Sequence, residues 1–290
     1  MLMALPNTPS PFTFFPALQY GEASDMPPWS APLYLDMLYP TPLLMAPAPA
    51  VIYVHGGGWS EGERSSGLLP WLNPLLAAHG FITVSITYRL SRLAPFPAQI
   101  HDVKAAVRWL RAHAEQYQID SERIGVWGDS AGGQLAALLG VTGDVPSLEG
   151  NCGSSGYSSR VQAVIARSAP YDFLSPGGEL VNDVPSPVTQ LFGGTVSERE
   201  EQMRIGSPLS HVHPDAPPFQ IVHGTLDETV PFQQAERFVS ALNAAGNEVD
   251  FLPFPEAYHN LRPEEYAPWT DKPWEELGWK ALAFFQRHLC

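Results

Sequence analysis

Residues 124–133 read Ile-Gly-Val-Trp-Gly-Asp-Ser-Ala-Gly-Gly, and this stretch is the strongest indicator of the fold. A short apolar strand over 124–127 turns through the glycine-rich segment into an apolar helix over 134–139. Small residues two positions before and two after Ser130 permit a sharp turn that holds its side chain above the sheet edge. The backbone N–H of Ala131 lies at the helix N-terminus and points toward the same space. The order of strand, tight turn and helix predicts an exposed, nucleophilic serine.

A second glycine-rich stretch follows an earlier strand. The continuous apolar run 50–54 is typical of a strand buried on both faces, and it ends in His55-Gly56-Gly57-Gly58-Trp59. Glycine loops of this type supply N–H groups to the oxyanion in lipases and esterases. A purely topological role for both glycine turns is the alternative, and their joint context argues against it. His55 itself is interpreted as structural.

Strands and helices alternate along much of the chain. β-branched and apolar runs predict further strands at 33–38, 81–88, 161–168, 219–223 and 249–254. Apolar spacings of three and four predict further helices at 71–79, 100–117, 232–245 and 274–288. This alternation predicts a single α/β domain over 1–290, with a mainly parallel central sheet and helices on both faces.

Three segments depart from this alternation. Residues 1–30 are Pro-rich and show neither a period of 2 nor one of 3.6, which predicts an extended N-terminal arm. Residues 143–159 are rich in Gly and Ser, and residues 175–217 mix Pro, Gly and polar residues around one short helix near 198–204. Long insertions on an α/β domain often form binding loops or caps. We therefore expect both insertions near the active site.

Composition restricts the classes of partner. The 290 residues include 16 Lys and Arg against 30 Asp and Glu, a formal net charge of −14, so nucleic acid is not expected to bind. Two cysteines, Cys152 and Cys290, cannot form a four-thiolate zinc site, and no metal or cofactor is expected. Prolines interrupt the uncharged segments 1–20 and 37–60, so no membrane span is expected. No signal peptide is visible, which favours a cytoplasmic location, while the oligomeric state stays open.

A nucleophilic serine needs a base and an acid that orients the base. In α/β-hydrolases the chain order is Ser, acid, His. Asp227 and His259 each follow one of the last two predicted strands, which places both at the carboxyl edge of the sheet. Asp172 is the main rival acid, although it requires a shifted topology. Glu228 is adjacent to Asp227 and is the second local candidate.

The remaining histidines after Ser130 are expected in structural roles. His223 lies at the end of a predicted strand and is expected to pack or bond locally, and His288 lies on the terminal helix. His211 and His213 flank one residue in a loop that offers no obvious third metal ligand. The sequence therefore predicts no metal site.

Four other side chains have roles that depend on burial. Trp59 either forms a wall of the substrate pocket or packs in the core. Arg89, Asp102 and Arg108 are expected to join a buried polar network rather than to act in catalysis.

Taken together, these motifs resemble the α/β-hydrolase fold of serine esterases and lipases, in the branch with hormone-sensitive-lipase-like and feruloyl or carbohydrate-esterase-like enzymes. The resemblance runs from about residue 33 to the C-terminus. It rests on Leu33-Tyr34-Leu35-Asp36, His55-Gly56-Gly57-Gly58-Trp59, Tyr88-Arg89-Leu90, Phe96-Pro97-Ala98, Gly128-Asp129-Ser130-Ala131-Gly132-Gly133, Leu191-Phe192-Gly193-Gly194, Ser207-Pro208, the stretch from Pro217-Pro218-Phe219 through His223-Gly224, and Asp227.

The chain departs from this family pattern at two places. Asn260 follows the histidine where Gly or Ala is common, and Arg167-Ser168-Ala169-Pro170 replaces a more aromatic stretch. The second departure suggests an unusual acyl or alcohol pocket.

The resemblance implies a role for each site residue and a reaction. By resemblance the nucleophile is Ser130, the general base His259, the orienting acid Asp227, and the oxyanion donors the N–H groups of Gly57, Gly58 and Ala131. It implies a serine carboxylesterase that hydrolyses short acyl or small aromatic esters through an acyl-enzyme, with a small-molecule ester as its partner. The alternatives are a feruloyl or acetylxylan esterase, an arylformamidase, or a hydrolase-fold binding protein without activity.

Overall fold

The computed structural model describes residues 12–26, 29–41, 46–65, 72–175, 186–261 and 272–290. Within them, eight strands form one sheet in the order β1-β2-β4-β3-β5-β6-β7-β8. The strands are β1 (Phe12–Met26), β2 (Trp29–Pro40), β3 (Ala48–Val54), β4 (Ile82–Ile86), β5 (Ile119–Asp129), β6 (Ala163–Arg167), β7 (Phe219–Gly224) and β8 (Val249–Phe254). The helices are α1 (Leu72–Ala78), α2 (Ala98–Ala112), α3 (Ala114–Tyr117), α4 (Ala131–Val141), α5 (Pro187–Phe192), α6 (Val196–Gly206), α7 (Gln233–Ala244) and α8 (Lys272–Leu289). Across these ranges, no helix is both long and apolar enough to cross a membrane.

The pairing of the strands makes the sheet mainly parallel, as the alternation predicts. β1 pairs antiparallel with β2, and β2 pairs antiparallel with β4. The six strands from β4 to β8 in the sheet order all run parallel. Their carboxyl ends therefore meet at one edge, called here the carboxyl edge, where ligands bind in sheets of this kind.

Helices cover both faces of the sheet, which confirms the predicted fold class. Successive side chains of a strand point to opposite faces. In β3, Ile52 and Val54 pack in the core formed with α2 and α4, whereas Val51 and Tyr53 pack in the core formed with α1 and α8. Burial on both sides explains why this strand reads as a continuous apolar run.

The predicted polar network is buried, and Cys152 connects its two parts, since its Sγ lies 3.5 Å from Asp102 Oδ1 and its carbonyl accepts from Arg108. Arg89 and Asp102 form an ion pair with Nη2 and Oδ1 2.9 Å apart, and the Arg89 backbone N–H donates to the same carboxylate at 2.8 Å. Burial raises the pKa of Asp102, and the bonds from Arg89 offset only part of that rise. Arg108 instead donates to Glu149 at 2.7 Å and to the carbonyl of Cys152 at 2.7 Å.

The N-terminal segment forms a strand where the sequence predicts an arm. Residues 12–26 form β1, the edge strand of the sheet, while residues 1–11 lie outside the described part. The register of β1 against β2 shifts at three places, between Phe15 and Leu18, between Gln19 and Gly21, and between Ala23 and Met26. Each shift breaks the alternation of side chains, so no period of 2 is visible in the sequence.

The insertion 143–159 packs along α2 rather than against the loops that carry the predicted site residues. It begins just after the C-terminus of α4, at the end of that helix opposite Ser130. Lys104 and Arg111 of α2 bind it through Glu149 and through the carbonyl of Ser158, both at 2.7 Å. These hydrogen bonds thus attach the insertion to α2.

The insertion 175–217 approaches the glycine loop after β3. Residues 176–185 lie outside the described part, and the rest contains α6, which matches the predicted helix, and α5, which the sequence analysis missed. α5 begins at a reciprocal cap between Ser186 and Thr189, with Pro187 at its first position. A Cβ added to Gly58 would lie 3.3 Å from the Cβ of Pro187, so the start of α5 borders the glycine loop.

Candidate active site

Three predicted side chains from three different loops meet at the carboxyl edge. Ser130 follows β5, Asp227 follows β7 and His259 follows β8. His259 Nε2 lies 3.0 Å from Ser130 Oγ, and His259 Nδ1 lies 2.8 Å from Asp227 Oδ2. The three groups form one continuous hydrogen-bonded chain. The Asp227 side chain is buried at one end, while His259 and Ser130 are partly open to solvent.

The turn that carries Ser130 is strained and sterically demanding. Ser130 adopts φ 52° and ψ −118°, a conformation that non-glycine residues rarely hold outside functional sites. Its N–H donates to the carbonyl of Arg167 at 2.8 Å, and its own carbonyl accepts from Gln134 at 2.9 Å as α4 begins. A Cβ on Gly132 would overlap the carbonyl oxygen of Val54. The glycine therefore lets α4 pack directly on the end of β3.

The glycine loop lies directly beside Ser130. A Cβ added to Gly56 would be 3.6 Å from the Cβ of Ser130. Gly57 and Gly58 have φ of +110° and +55°, which glycine adopts without strain. The N–H of Ala131 belongs to the first turn of α4, whose N–H groups have no partner within the helix. Gly56 and Ala131 thus lie next to the serine, and the predicted oxyanion residues Gly57 and Gly58 directly follow Gly56.

His55 holds the glycine loop from inside the protein. Its ring is buried and stacks on Tyr88 at 4.2 Å, and its Nδ1 lies 2.8 Å from the carbonyl oxygen of Gly56. Burial lowers the pKa of His55, so the ring is neutral and Nδ1 donates to that carbonyl. In a trans peptide the C=O and the following N–H point in opposite directions. The N–H of Gly57 therefore points away from His55.

Three donors converge on the carboxylate of Asp227. Oδ2 accepts from His259 Nδ1 at 2.8 Å and contacts His223 Nε2 at 3.2 Å, and Oδ1 accepts from the Val230 N–H at 2.8 Å. Burial by itself raises the pKa of Asp227, but the bonds from His223, His259 and Val230 outweigh it and leave that pKa below its ordinary value. Asp227 is therefore a carboxylate at neutral pH, as an orienting acid requires.

A charged pair beside the serine was not predicted as part of the site. Arg167 Nε lies 2.6 Å from Asp129 Oδ1, the Tyr53 hydroxyl donates to Asp129 Oδ2 at 3.1 Å, and the Arg167 guanidinium lies over the Trp127 ring. Burial raises the pKa of Asp129, and the charge of Arg167 opposes this rise. Both residues end neighbouring strands, β5 and β6, and this is the signal that places them together. Arg167, one of the residues at which the chain departs from the family pattern, is thus paired with Asp129.

The rival acids lie elsewhere. Asp172 Oδ2 forms an ion pair with Arg237 at 2.8 Å, and its Oδ1 accepts from the Leu174 N–H at 3.0 Å. Glu228 is exposed to solvent. Neither residue takes the place of Asp227 beside His259.

The other predicted residues have structural contacts. His211 Nε2 lies 2.8 Å from the carbonyl of Ile205, and His213 Nδ1 accepts from the Asp215 N–H at 3.2 Å. His288 lies 3.6 Å from Glu248. Within the described ranges, no three His, Cys, Asp or Glu side chains are grouped as metal ligands.

Trp59 lies in the core and not on an open surface. Its exposed fraction is 1%, its indole N–H donates to Gln134 Oε1 at 3.0 Å, and its ring meets Phe173 edge to face at 5.7 Å. Of the two roles considered for Trp59, this placement favours packing.

Comparison with known proteins shows the family. Residues 35–242 match the BD-FAE family model. Esterase LipC of Mycobacterium tuberculosis is 35% identical over 220 residues, which are 74% of this chain and 53% of LipC. A solved structure described as a truncated form of carbohydrate esterase from gut microbiota is 28% identical with a TM-score of 0.82, covering 97% of this chain and 98% of that one. Butyrate-bound esterase 2 of Thermogutta terrifontis is 26% identical with a TM-score of 0.73, covering 92% of each chain.

These matches place the chain in the BD-FAE family, an α/β-hydrolase esterase family. The chain spans about half the length of the first curated relatives, with 53% of LipC and 55% of LipM covered.

Proposed function

We propose that this BD-FAE family member is a serine carboxylesterase that hydrolyses short acyl or small aromatic esters through an acyl-enzyme. The observation that carries the proposal is the hydrogen-bonded chain from Ser130 through His259 to Asp227, with distances of 3.0 and 2.8 Å. The adjacent glycine loop and the esterase names of the relatives support it.

The first half of the reaction acylates the serine. Ser130 Oγ attacks the ester carbonyl carbon while His259 Nε2 takes the hydroxyl proton. Asp227 keeps the Nδ1–H of His259 in place and stabilises the imidazolium that forms. The carbonyl oxygen becomes negative and accepts hydrogen bonds from the oxyanion donors, the N–H groups of Gly57, Gly58 and Ala131.

The second half of the reaction releases the products. The protonated His259 gives its Nε2 proton to the leaving alcohol oxygen as the C–O bond of the tetrahedral intermediate breaks. Water then attacks the acyl-enzyme, His259 takes one of its protons, and collapse of the second intermediate returns the proton to Ser130 Oγ as the carboxylic acid leaves. Both halves thus use the same three side chains and the same donors.

The packing below the glycine loop supports small acyl groups. Trp59, Phe173 and Phe192 are buried, and Phe173 contacts the other two rings at 5.7 and 5.1 Å. Phe192 also packs on Phe96 at 5.2 Å. These four rings form one buried aromatic cluster that begins at the residue directly after the three glycines. The butyrate bound to the esterase 2 relative is a short acyl group of the kind proposed here.

The direct test is ester hydrolysis by the wild type and Ser130→Ala. We expect p-nitrophenyl acetate and butyrate to be hydrolysed by the wild type, and turnover to fall by about 1,000-fold or more without the nucleophile. A fluorophosphonate should attach to Ser130 in the wild type, as located by mass spectrometry of the digested protein. Equal turnover by the two proteins refutes the proposal.

An ester of a carbohydrate is the second candidate substrate. The observation that favours it is the carbohydrate esterase structure, which superposes over 97% of this chain. Acetylated xylan should be compared with p-nitrophenyl butyrate at equal enzyme concentration, with methyl ferulate as an aromatic ester that carries no sugar. Higher kcat/KM on a carbohydrate ester than on the p-nitrophenyl ester selects this candidate.

A further inference from the structure

A second histidine touches the carboxylate that orients His259. His223 lies near the end of β7, four residues before Asp227, and its side chain is fully buried. Its Nε2 lies 3.2 Å from Asp227 Oδ2 and 2.8 Å from the carbonyl oxygen of Val230. Asp227 Oδ2 therefore lies between two imidazole rings.

The contacts of His223 close a small ring around the carboxylate. Val230 donates its N–H to Asp227 Oδ1 at 2.8 Å, and its carbonyl accepts from His223 Nε2. His223 Nε2 in turn contacts Asp227 Oδ2. The Val230 N–H holds Oδ1, and the single Nε2–H of His223 is shared between the Val230 carbonyl at 2.8 Å and Asp227 Oδ2 at 3.2 Å, so rotation of the carboxylate breaks at least one contact. The carboxylate plane is thus set independently of His259.

The chemistry of the partners fixes which nitrogen of His223 carries the proton. Carbonyl and carboxylate oxygens only accept, so Nε2 is the donor. Among the described residues, Nδ1 has no hydrogen-bond partner, so a second proton there would be buried without an acceptor. Nε2–H is therefore the group that His223 donates to both oxygens. The ring of Phe232 packs against it edge to face at 5.9 Å and helps to hold this orientation.

We infer that His223 is a positioning residue for the esterase reaction: its Nε2–H holds Asp227 Oδ2 in the orientation that aligns His259 with Ser130. The inference rests on the proposed function. It assigns a catalytic consequence to a histidine whose sequence position indicates only local packing. His223 acts through Asp227 and contacts neither the nucleophile nor the base.

Three substitutions separate this role from packing. His223→Gln keeps an N–H donor at about the reach of Nε2, His223→Asn moves the donor back toward the position of Nδ1, and His223→Leu removes it. We expect kcat for p-nitrophenyl butyrate to fall about 10- to 100-fold in the Leu and Asn variants, since a hydrogen bond to a charged group is lost. KM should change little, and the Gln variant should retain most of the activity. The deshielded proton resonance of the His259–Asp227 hydrogen bond should persist in the Gln variant and weaken in the Asn variant.

His211→Leu is the matched control. His211 also binds a backbone carbonyl through Nε2, that of Ile205 at 2.8 Å, but it lies outside the catalytic chain. We expect this variant to keep the wild-type kcat. Circular dichroism and the melting temperature identify any variant that fails to fold. If the Leu variant fails, the comparison of the Gln and Asn variants still tests the inference, because both side chains are polar and of similar size.

The outcomes distinguish this inference from the proposed function. If wild-type turnover does not depend on Ser130, the proposed function fails. If turnover depends on Ser130 but the folded Leu and Asn variants keep the wild-type kcat, the inference about His223 alone is overturned. Equal loss in the Gln and Asn variants also overturns it, because the position of the donor then has no effect.

Discussion

Replacing Asp227 by Asn changes one atom of the proposed triad and nothing of its shape. In the structure both carboxylate oxygens face only donors: Oδ1 faces the Val230 N–H at 2.8 Å, and Oδ2 faces His259 at 2.8 Å and His223 at 3.2 Å. An amide has one oxygen and one NH2 group. Whichever way the amide of the Asp227→Asn variant is oriented, its NH2 group meets an N–H donor.

The expected decrease in kcat of the Asp227→Asn variant follows from the two possible orientations of the amide. With its NH2 toward the histidines, His259 can bond only by accepting through Nδ1, which leaves the proton on Nε2 and prevents that atom from taking the Ser130 proton. With its NH2 toward Val230, the loss of the charge and of a charge-assisted bond costs about 1.5–3 kcal/mol. In the serine hydrolase template this change lowers kcat by about 10,000-fold, or about 5.5 kcal/mol in activation free energy. We expect a decrease of about 1,000- to 10,000-fold here.

The assay is p-nitrophenyl butyrate hydrolysis at neutral pH, with Asp172→Asn as the matched control. Asp172 is the rival acid, and its ion pair with Arg237 is partly exposed. Loss of such a pair costs about 0–1 kcal/mol in stability, so the control should keep its activity. The reasoning is refuted if Asp227→Asn retains more than about a tenth of the wild-type kcat. It is also refuted if the kcat of Asp172→Asn decreases by the same factor as that of Asp227→Asn.

Three further predictions concern stability and the turn. Gly132→Ala places a Cβ against the carbonyl of Val54. We expect the unfolding free energy measured in urea to fall by about 1–3 kcal/mol and ester turnover to be lost. An unchanged unfolding free energy and turnover contradict the steric argument. Arg89→Met leaves Asp102 buried without its ion-pair partner, so the unfolding free energy measured in urea should fall by about 3–5 kcal/mol. A decrease below about 1 kcal/mol contradicts this role of the buried ion pair. The folded-state pKa of Asp227 is lowered, so this carboxylate stabilises the folded protein above its ordinary pKa of about 3.9, and that stability is lost as pH falls through the folded value. Unfolding free energy measured from about pH 5 downward should therefore fall more steeply in the wild type than in Asp227→Asn, and equal slopes contradict the assignment.

Much of the sheet could be predicted because its signals are local. Strand β8 has the predicted bounds, and the other predicted strands lie within or close to those observed. β1 is the exception, since three register shifts hide its alternation. α5 was missed because its start depends on a reciprocal cap between Ser186 and Thr189 within a Pro-rich insertion. The local periodicity of apolar residues shows neither the register shifts of β1 nor the cap at the start of α5.

Residue patterns along the chain were enough to establish the α/β fold class and to assign Ser130, Asp227 and His259 to one edge of the sheet, because parallel strands place their carboxyl ends together. Which atoms meet at that edge depends on the folded arrangement. The burial of Trp59, the pairing of Arg167 with Asp129 and the contact of His223 with Asp227 join residues through packing and hydrogen bonds across strands and loops. Chain order shows where a strand ends, but the partner of a buried polar atom depends on which neighbour fills the same space, and only three-dimensional packing determines that neighbour.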